Sequence, residues 1–204
     1  MMKNQDQKPK LDDQEIDDQA KRKEYACKTE EAAKKAFPDE EWIDVFILNF
    51  KHLGEDFVIP HNIEGINVAK SRLTGLKEDE KILIKEIRQA GQLKNTTIYL
   101  LPKQKSPEGK ELPSPDAFVN DVLFEFKNVT GTIRKVEKHF RKSRDQCENV
   151  YLKIDNPKIS KEDVESKIRA ILHDDNYHGG INGELILYLA QTDEIYFMRI
   201  KDLV

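Results

Sequence analysis

The segment DAFVNDVLFEFKNV at residues 116–129 constrains the fold most, because two short β-prone runs flank Asn120 and Asp121. Those two residue types accept the left-handed conformations that a tight hairpin requires, so a β-hairpin is expected. Successive strand side chains point to opposite faces, which puts Leu123, Glu125 and Lys127 on one face and Val122, Phe124 and Phe126 on the other. The phenylalanine face needs a core to cover it. Beyond the hairpin the chain alternates between helix and strand: TGTIRKVEKHFRKSRDQ reads as a helix over 132–145, ENVYLKID as a strand, and SKEDVESKIRAIL as a helix over 160–172 with Ser160 as N-cap. ELILYLA and EIYFMRI are strand-like around a turn at Thr192 and Asp193 and extend the sheet. The expected class is α/β, a mixed β-sheet flanked by helices.

Upstream, LKEDEKILIKEIRQAG carries Leu83, Ile84 and Ile87 at helical spacing, with Gly91 as its stop, so a helix over 77–90 is expected. TTIYLLP is a β-prone run closed by Pro102, and the Pro/Gly/Lys-rich stretch from Lys103 to Ser114 is a loop. WIDVFILNF at 42–50 and DFVIP at 56–60 read as a strand pair or a strand and loop, with His52 and His61 as ordinary surface histidines. Residues 1–36 are nearly devoid of large apolar side chains; they read as a disordered start followed by a solvated helix in KRKEYACKTEEAAKKAF, ended by Pro38. The division expected is a charged, partly disordered or helical extension over 1–41, an accessory strand/loop region over 42–75 and the main domain over 76–204.

Apolar residues make up 38% and charged residues 35%, and the polarity is concentrated at the front. The net charge of -4 argues against a general nucleic-acid binder, though an enzyme that touches a few phosphates beside a metal ion needs only a local basic patch. Cys27 and Cys147 have neither a disulfide-framework nor a zinc spacing, which makes reducing cytoplasm the expected site of action. No run is long and apolar enough to span a membrane, and MMKNQDQKPK lacks the apolar core of a signal peptide, so secretion would need another route.

Glu125 and Lys127 stand side by side on their strand, and the hairpin folds Asp116 back beside them. Two carboxylates and an ammonium at one spot suit phosphodiester hydrolysis. Carboxylate oxygens bind a hard cation such as Mg²⁺ or Mn²⁺, the cation lowers the pKa of a bound water, and a lysine positions that water or stabilises transition-state charge. The helix at 132–145 presents Arg134, Lys135, Lys138, His139, Arg141, Lys142 and Arg144 around Ile133, Val136 and Phe140, a pattern that fits either a solvated amphipathic helix or a phosphate-binding face. Thr132 either contacts phosphate or caps that helix, and Gln146 either meets the scissile group or bonds a backbone edge. HDDNYHGG at 173–180 reads as a turn rather than a second metal site.

SPDAFVNDVLFEFKNV resembles the PD-(D/E)xK nuclease signature, with Pro115 and Asp116 as the PD element and Glu125, Phe126 and Lys127 as ExK. Its continuation, NVTGTIRKVEKHFRKSRDQCENVYLKI, resembles the C-terminal tRNase domains of contact-dependent growth-inhibition toxins and related phage-associated nuclease domains. The resemblance covers about residues 77–156, including a helical Glu upstream of Gly91 and the strand end Leu100, Leu101 and Pro102. It implies a nuclease-like core in which Glu80, with Glu86 as its rival, joins Asp116 and Glu125 at the metal and Lys127 acts on the water. It further implies substrate contacts from Thr130, Thr132, Arg134, Lys138, Arg141 and Gln146, RNA (tRNA above all) as substrate, and a cognate immunity protein as partner. A DNA endonuclease of the same fold, or a non-catalytic module binding nucleic acid or a protein partner in a phage or mobile element, is the alternative.

Overall fold

The computed structural model describes residues 13–48, 65–74 and 79–204. DFVIP, His52 and His61 lie outside the described residues. Among the described residues, eight strands form one sheet in the order of the sequence: β1 (Trp42–Asp44), β2 (Ile66–Ala69), β3 (Ile98–Leu100), β4 (Ala117–Val119), β5 (Val122–Val129), β6 (Val150–Ile154), β7 (Glu184–Leu189) and β8 (Glu194–Arg199). The pairs β2–β3, β5–β6 and β6–β7 are parallel and the others antiparallel, so the sheet is mixed, and helices flank it. The chain is an α/β protein.

Among the described residues, four α-helices cover the faces: α1 (Asp13–Ala36), α2 (Asp79–Gly91), α3 (Ile133–Arg144) and α4 (Lys161–Leu172). On one face, Leu83, Ile87 and Ala90 of α2 recur at one-turn spacing and pack on Ile98, Leu100, Phe124, Phe126 and Tyr151. On the other, Val136 and Phe140 of α3 and Val164, Ile168 and Ile171 of α4 bury Val129, Val150, Leu152, Leu185 and Leu187. The two phenylalanines of β5 therefore lie under α2, while Glu125 and Lys127 project from the face that α3 covers. Ala33 of α1 sits on Tyr99, Leu101 and Phe118, so this charged helix packs on the sheet along one side. It starts earlier than its composition suggests.

The hairpin between β4 and β5 turns at Asn120 (φ 47°) and Asp121 (φ 65°), and Asp193 (φ 57°) turns β7 into β8, as the turn residues predict. Ser160 caps α4 through a reciprocal bond with Asp163. Of the apolar run at 42–50, residues 42–48 are described, and among these Trp42–Asp44 is strand while the Asp44 side chain accepts the Phe46 N–H and turns Val45–Ile47 into a 3-10 helix. Strand β2 is held between β1 and β3, with Ile66, Val68 and Ala69 buried.

One polar side chain stitches the middle of the sheet. Asn149, just before β6, donates to the Leu123 carbonyl (2.8 Å) and accepts the Glu184 N–H (2.8 Å), while its own carbonyl accepts the Glu125 N–H (3.0 Å). These bonds set the register of β5 against β6 and of β6 against β7 where Glu125 emerges. Asn149→Ala keeps the backbone bond and loses both side-chain bonds, and should lower stability by about 1–3 kcal/mol, read as a shift of the urea midpoint. An unchanged midpoint would show that the strands keep register without it.

Candidate active site

Strand β5 changes partners along its length, pairing with β4 up to Phe124 and with β6 from Glu125 onward. The ladder to β4 ends where the Asp116 N–H donates to the Phe124 carbonyl (2.9 Å). The next outward N–H of β5, that of Phe126, donates to Asp116 Oδ2 (2.8 Å) in place of a backbone carbonyl. The sheet forks at that bond, and a cleft of about 560 Å³ opens between α2, the loop before Asp116 and α3.

Asp116 and Glu125 are 4% and 2% exposed, and their side chains are direct neighbours on the cleft floor. Glu125 Oε1 accepts from the Lys127 ammonium and from Gln146 Nε2 (2.9 Å), whereas Oε2 is buried and no donor among the described residues reaches it. Asp116 Oδ1 accepts from Lys103 Nζ (2.6 Å). Lys103 also reaches Glu86 Oε1 (3.2 Å), and Arg72 pairs with Glu86 from the far side while donating to the Asp116 carbonyl (3.3 Å).

Two adjacent carboxyls under partial desolvation cannot ionise equally. Burial, then the charge of Asp116, pushes Glu125 up to about 7 against the opposing pull of Lys127. Burial acts on Asp116 in the same sense, but the charge and hydrogen bond of Lys103, the Phe126 N–H and Lys127 outweigh it and hold Asp116 below its ordinary value. Above this floor the lip is positive. Desolvation, then the charges of Lys127 and Lys153, lowers the Lys85 pKa, and burial followed by Lys127, Lys85, Lys138 and Lys135 lowers that of His139. Lys142 lines the same lip.

The structure thus brings together Asp116, Glu125, Lys127 and Gln146. Glu80 does not line the cleft, and the acid that α2 supplies there is its rival, Glu86. The two stand six positions apart, about 120° around the helix, so they flank the apolar stripe on opposite sides. Among the described residues, no group of three or more His, Cys, Asp or Glu side chains is placed to hold a metal ion, so the three-carboxylate set implied by the resemblance is not assembled. Gln146 donates to the Glu125 carboxylate (2.9 Å) and also to the backbone carbonyl of Lys142 (3.3 Å).

Thr130, Thr132, Arg134 and Lys138 are exposed and outside the cleft lining. Thr132 occupies the N-cap position of α3 without a side-chain capping bond. Arg141 points away from the cleft, paired with Asp174 and Glu137 (3.3 Å) and stacked over Tyr177. Arg144 is 7% exposed and ties α3 to the 177–182 loop through Tyr177 and the carbonyls of Gly179 and Asn182. Sequence reasoning missed Lys103, Lys85 and Arg72. Lys103 carried one usable signal, since it alternates with Tyr99 and Leu101 and so falls on the face where Asp116 lies.

Residues 113–188 match the family model described as the contact-dependent growth inhibition CdiA C-terminal domain, a little over a third of the chain. The matched stretch runs from the loop before Asp116 into β7 and carries Asp116, Glu125, Lys127 and Gln146, but neither α2 nor Lys103. A search of curated proteins and one of solved structures returned no match. No helix among the described residues is long and apolar enough to cross a membrane.

The Glu125 shift has a measurable consequence. The folded chain holds that proton more tightly than an ordinary glutamate at 4.5, so the stability it supplies is fully present below that value and lost as pH rises through about 7. Asp116 has the opposite sign: its contribution is present above its ordinary value and lost only in acid. Between about pH 5 and about pH 8, therefore, Glu125 makes the melting temperature fall, and Glu125→Gln should flatten that slope and add about 1–3 kcal/mol at the alkaline end. A variant that kept the slope would assign the proton to another group.

Proposed function

We propose that this chain is a metal-dependent nuclease that hydrolyses phosphodiester bonds, acting as a toxin of the contact-dependent growth-inhibition type, with RNA, and tRNA above all, as substrate. The observation that carries the reading is the pairing of Asp116 and Glu125 at the sheet fork, with Lys127 on the Glu125 carboxylate and one buried Glu125 oxygen lacking a donor. The match of residues 113–188 supports the toxin assignment and the cognate immunity protein it entails as partner. Action in the cytoplasm of a target cell is part of the same proposal.

The donor set fits Mg²⁺ or Mn²⁺. Mg²⁺ takes one or two carboxylates and completes its shell with water and substrate phosphate, so Asp116 and Glu125 suffice without a third acid. When bound, the ion would neutralise phosphoryl charge and lower the pKa of a water. The chain's own residues do the rest. The Phe126 N–H orients Asp116 through Oδ2, and Gln146 holds Glu125 Oε1, which leaves Oε2 as the oxygen still in need of a cation. Lys127, anchored on Glu125, would stabilise charge on a phosphoryl oxygen. Lys85 and Lys142, beside a His139 held neutral, form the positive lip against which a polyanion would lie, a local field that the net charge of -4 conceals.

Purified protein incubated with Mg²⁺ should cleave tRNA, EDTA should stop the reaction, and Lys127→Ala should slow it by on the order of a hundredfold or more. Cleavage of duplex DNA alone would replace the tRNase reading with a DNA endonuclease. If tRNA, single-stranded RNA and duplex DNA all stay intact, the nuclease reading falls, leaving a non-catalytic binding module.

A further inference from the structure

The carboxylate best placed to bind a metal already has a cation on it. Lys103 Nζ lies 2.6 Å from Asp116 Oδ1 and 3.2 Å from Glu86 Oε1, so one ammonium bridges two acids that are 4% and 5% exposed. Its own side chain is 26% exposed and leads into an exposed loop closed by the Lys105–Glu111 bridge and by bonds between Ser106 and Lys110 and between Leu112 and Gln104. The loop closes on itself, so the Lys103 side chain can change rotamer without breaking a strand ladder. Arg72 independently pairs with Glu86, so Glu86 keeps a counter-charge even when Lys103 turns away from Asp116.

The charges sort the carboxylates by role. Glu86 is enclosed by two cations and is a poor choice of metal ligand, but a fixed tether for Lys103. Asp116 Oδ1 is the oxygen for which an ammonium and a divalent ion compete, since Oδ2 is committed to the Phe126 N–H. Resting on the metal-dependent reading above, we infer that Lys103 is the resident counter-cation of the site: it occupies Asp116 in the metal-free chain and is displaced from that oxygen when a divalent ion binds. Glu86 then keeps the released ammonium beside the cleft, where it adds to the positive surface facing phosphate. Lys103 therefore sets the metal affinity of the site, and it lets two buried acids persist in a folded chain that holds no metal.

The test measures metal binding rather than cleavage. Mn²⁺ is titrated calorimetrically into wild type, Lys103→Met and Lys103→Arg. Removing the competing charge should tighten binding by about tenfold in Lys103→Met, while Lys103→Arg, which keeps the charge, stays near wild type. Equal or weaker binding by Lys103→Met overturns the inference and makes the lysine a structural ion-pair partner only. A second measurement needs no variant: amine-reactive labelling of wild type, read by mass spectrometry, should rise severalfold at Lys103 on adding Mg²⁺, and an unchanged rate overturns the displacement. If neither wild type nor Lys103→Met binds Mn²⁺, the metal-dependent reading fails as well; if both bind equally, that reading stands and only the role of Lys103 is lost.

Discussion

The bond from the Phe126 N–H to Asp116 Oδ2 is the constraint on which the candidate site depends. A β-strand that loses its neighbour must satisfy its outward N–H groups some other way, because a buried unpaired donor costs on the order of 1–3 kcal/mol. Here a carboxylate replaces a backbone carbonyl, which ends the β4–β5 ladder and fixes one acid at the point where the sheet opens. Cleft and buried carboxylate thus come from the same bond. Asn149 supports it from the other side by holding β6 against Leu123 and Glu184, so that Glu125 emerges beside Asp116 rather than a residue away.

The site is electrostatically close to balanced yet locally polarised. Lys127 neutralises Glu125, and Lys103 and Arg72 neutralise Asp116 and Glu86. The remaining cations, Lys85 and Lys142, stand on the lip beside His139. Acids below and bases above is the arrangement that the proposed binding of a cation and a polyanion calls for. The cost appears in Glu125, whose carboxyl holds its proton up to about 7 because burial and Asp116 both disfavour the charge. Its second carboxyl oxygen, Oε2, is buried with no hydrogen-bond partner among the described residues.

Much of this was legible from residues near one another in the chain. The Asn120–Asp121 turn, the alternation through Phe124, Glu125, Phe126 and Lys127, the helices at 133–144 and 161–172, and the Ser160 cap all arise from local stereochemistry. Where local pattern misled, a contact between distant segments had decided the outcome. Glu80 and Glu86 are equivalent by composition, and only the docking of α2 on the sheet shows which one faces Asp116. Arg141 and Arg144 belong to a basic helix, yet Asp174 and the 177–182 loop draw them away from the cleft.

The sequence by itself determined the secondary-structure alternation, the β4–β5 hairpin and the pairing of Glu125 with Lys127 on one strand face, because these depend on backbone sterics and a two-residue period that neighbours alone impose. Only the tertiary structure decided that Glu86 rather than Glu80 meets the site, that Lys103 sits on Asp116, and which basic residues of α3 reach the cleft. Those outcomes depend on the docking of helices on the sheet and on charge pairs between residues far apart in sequence, such as Arg72 and Glu86 or Arg141 and Asp174, for which no local pattern exists.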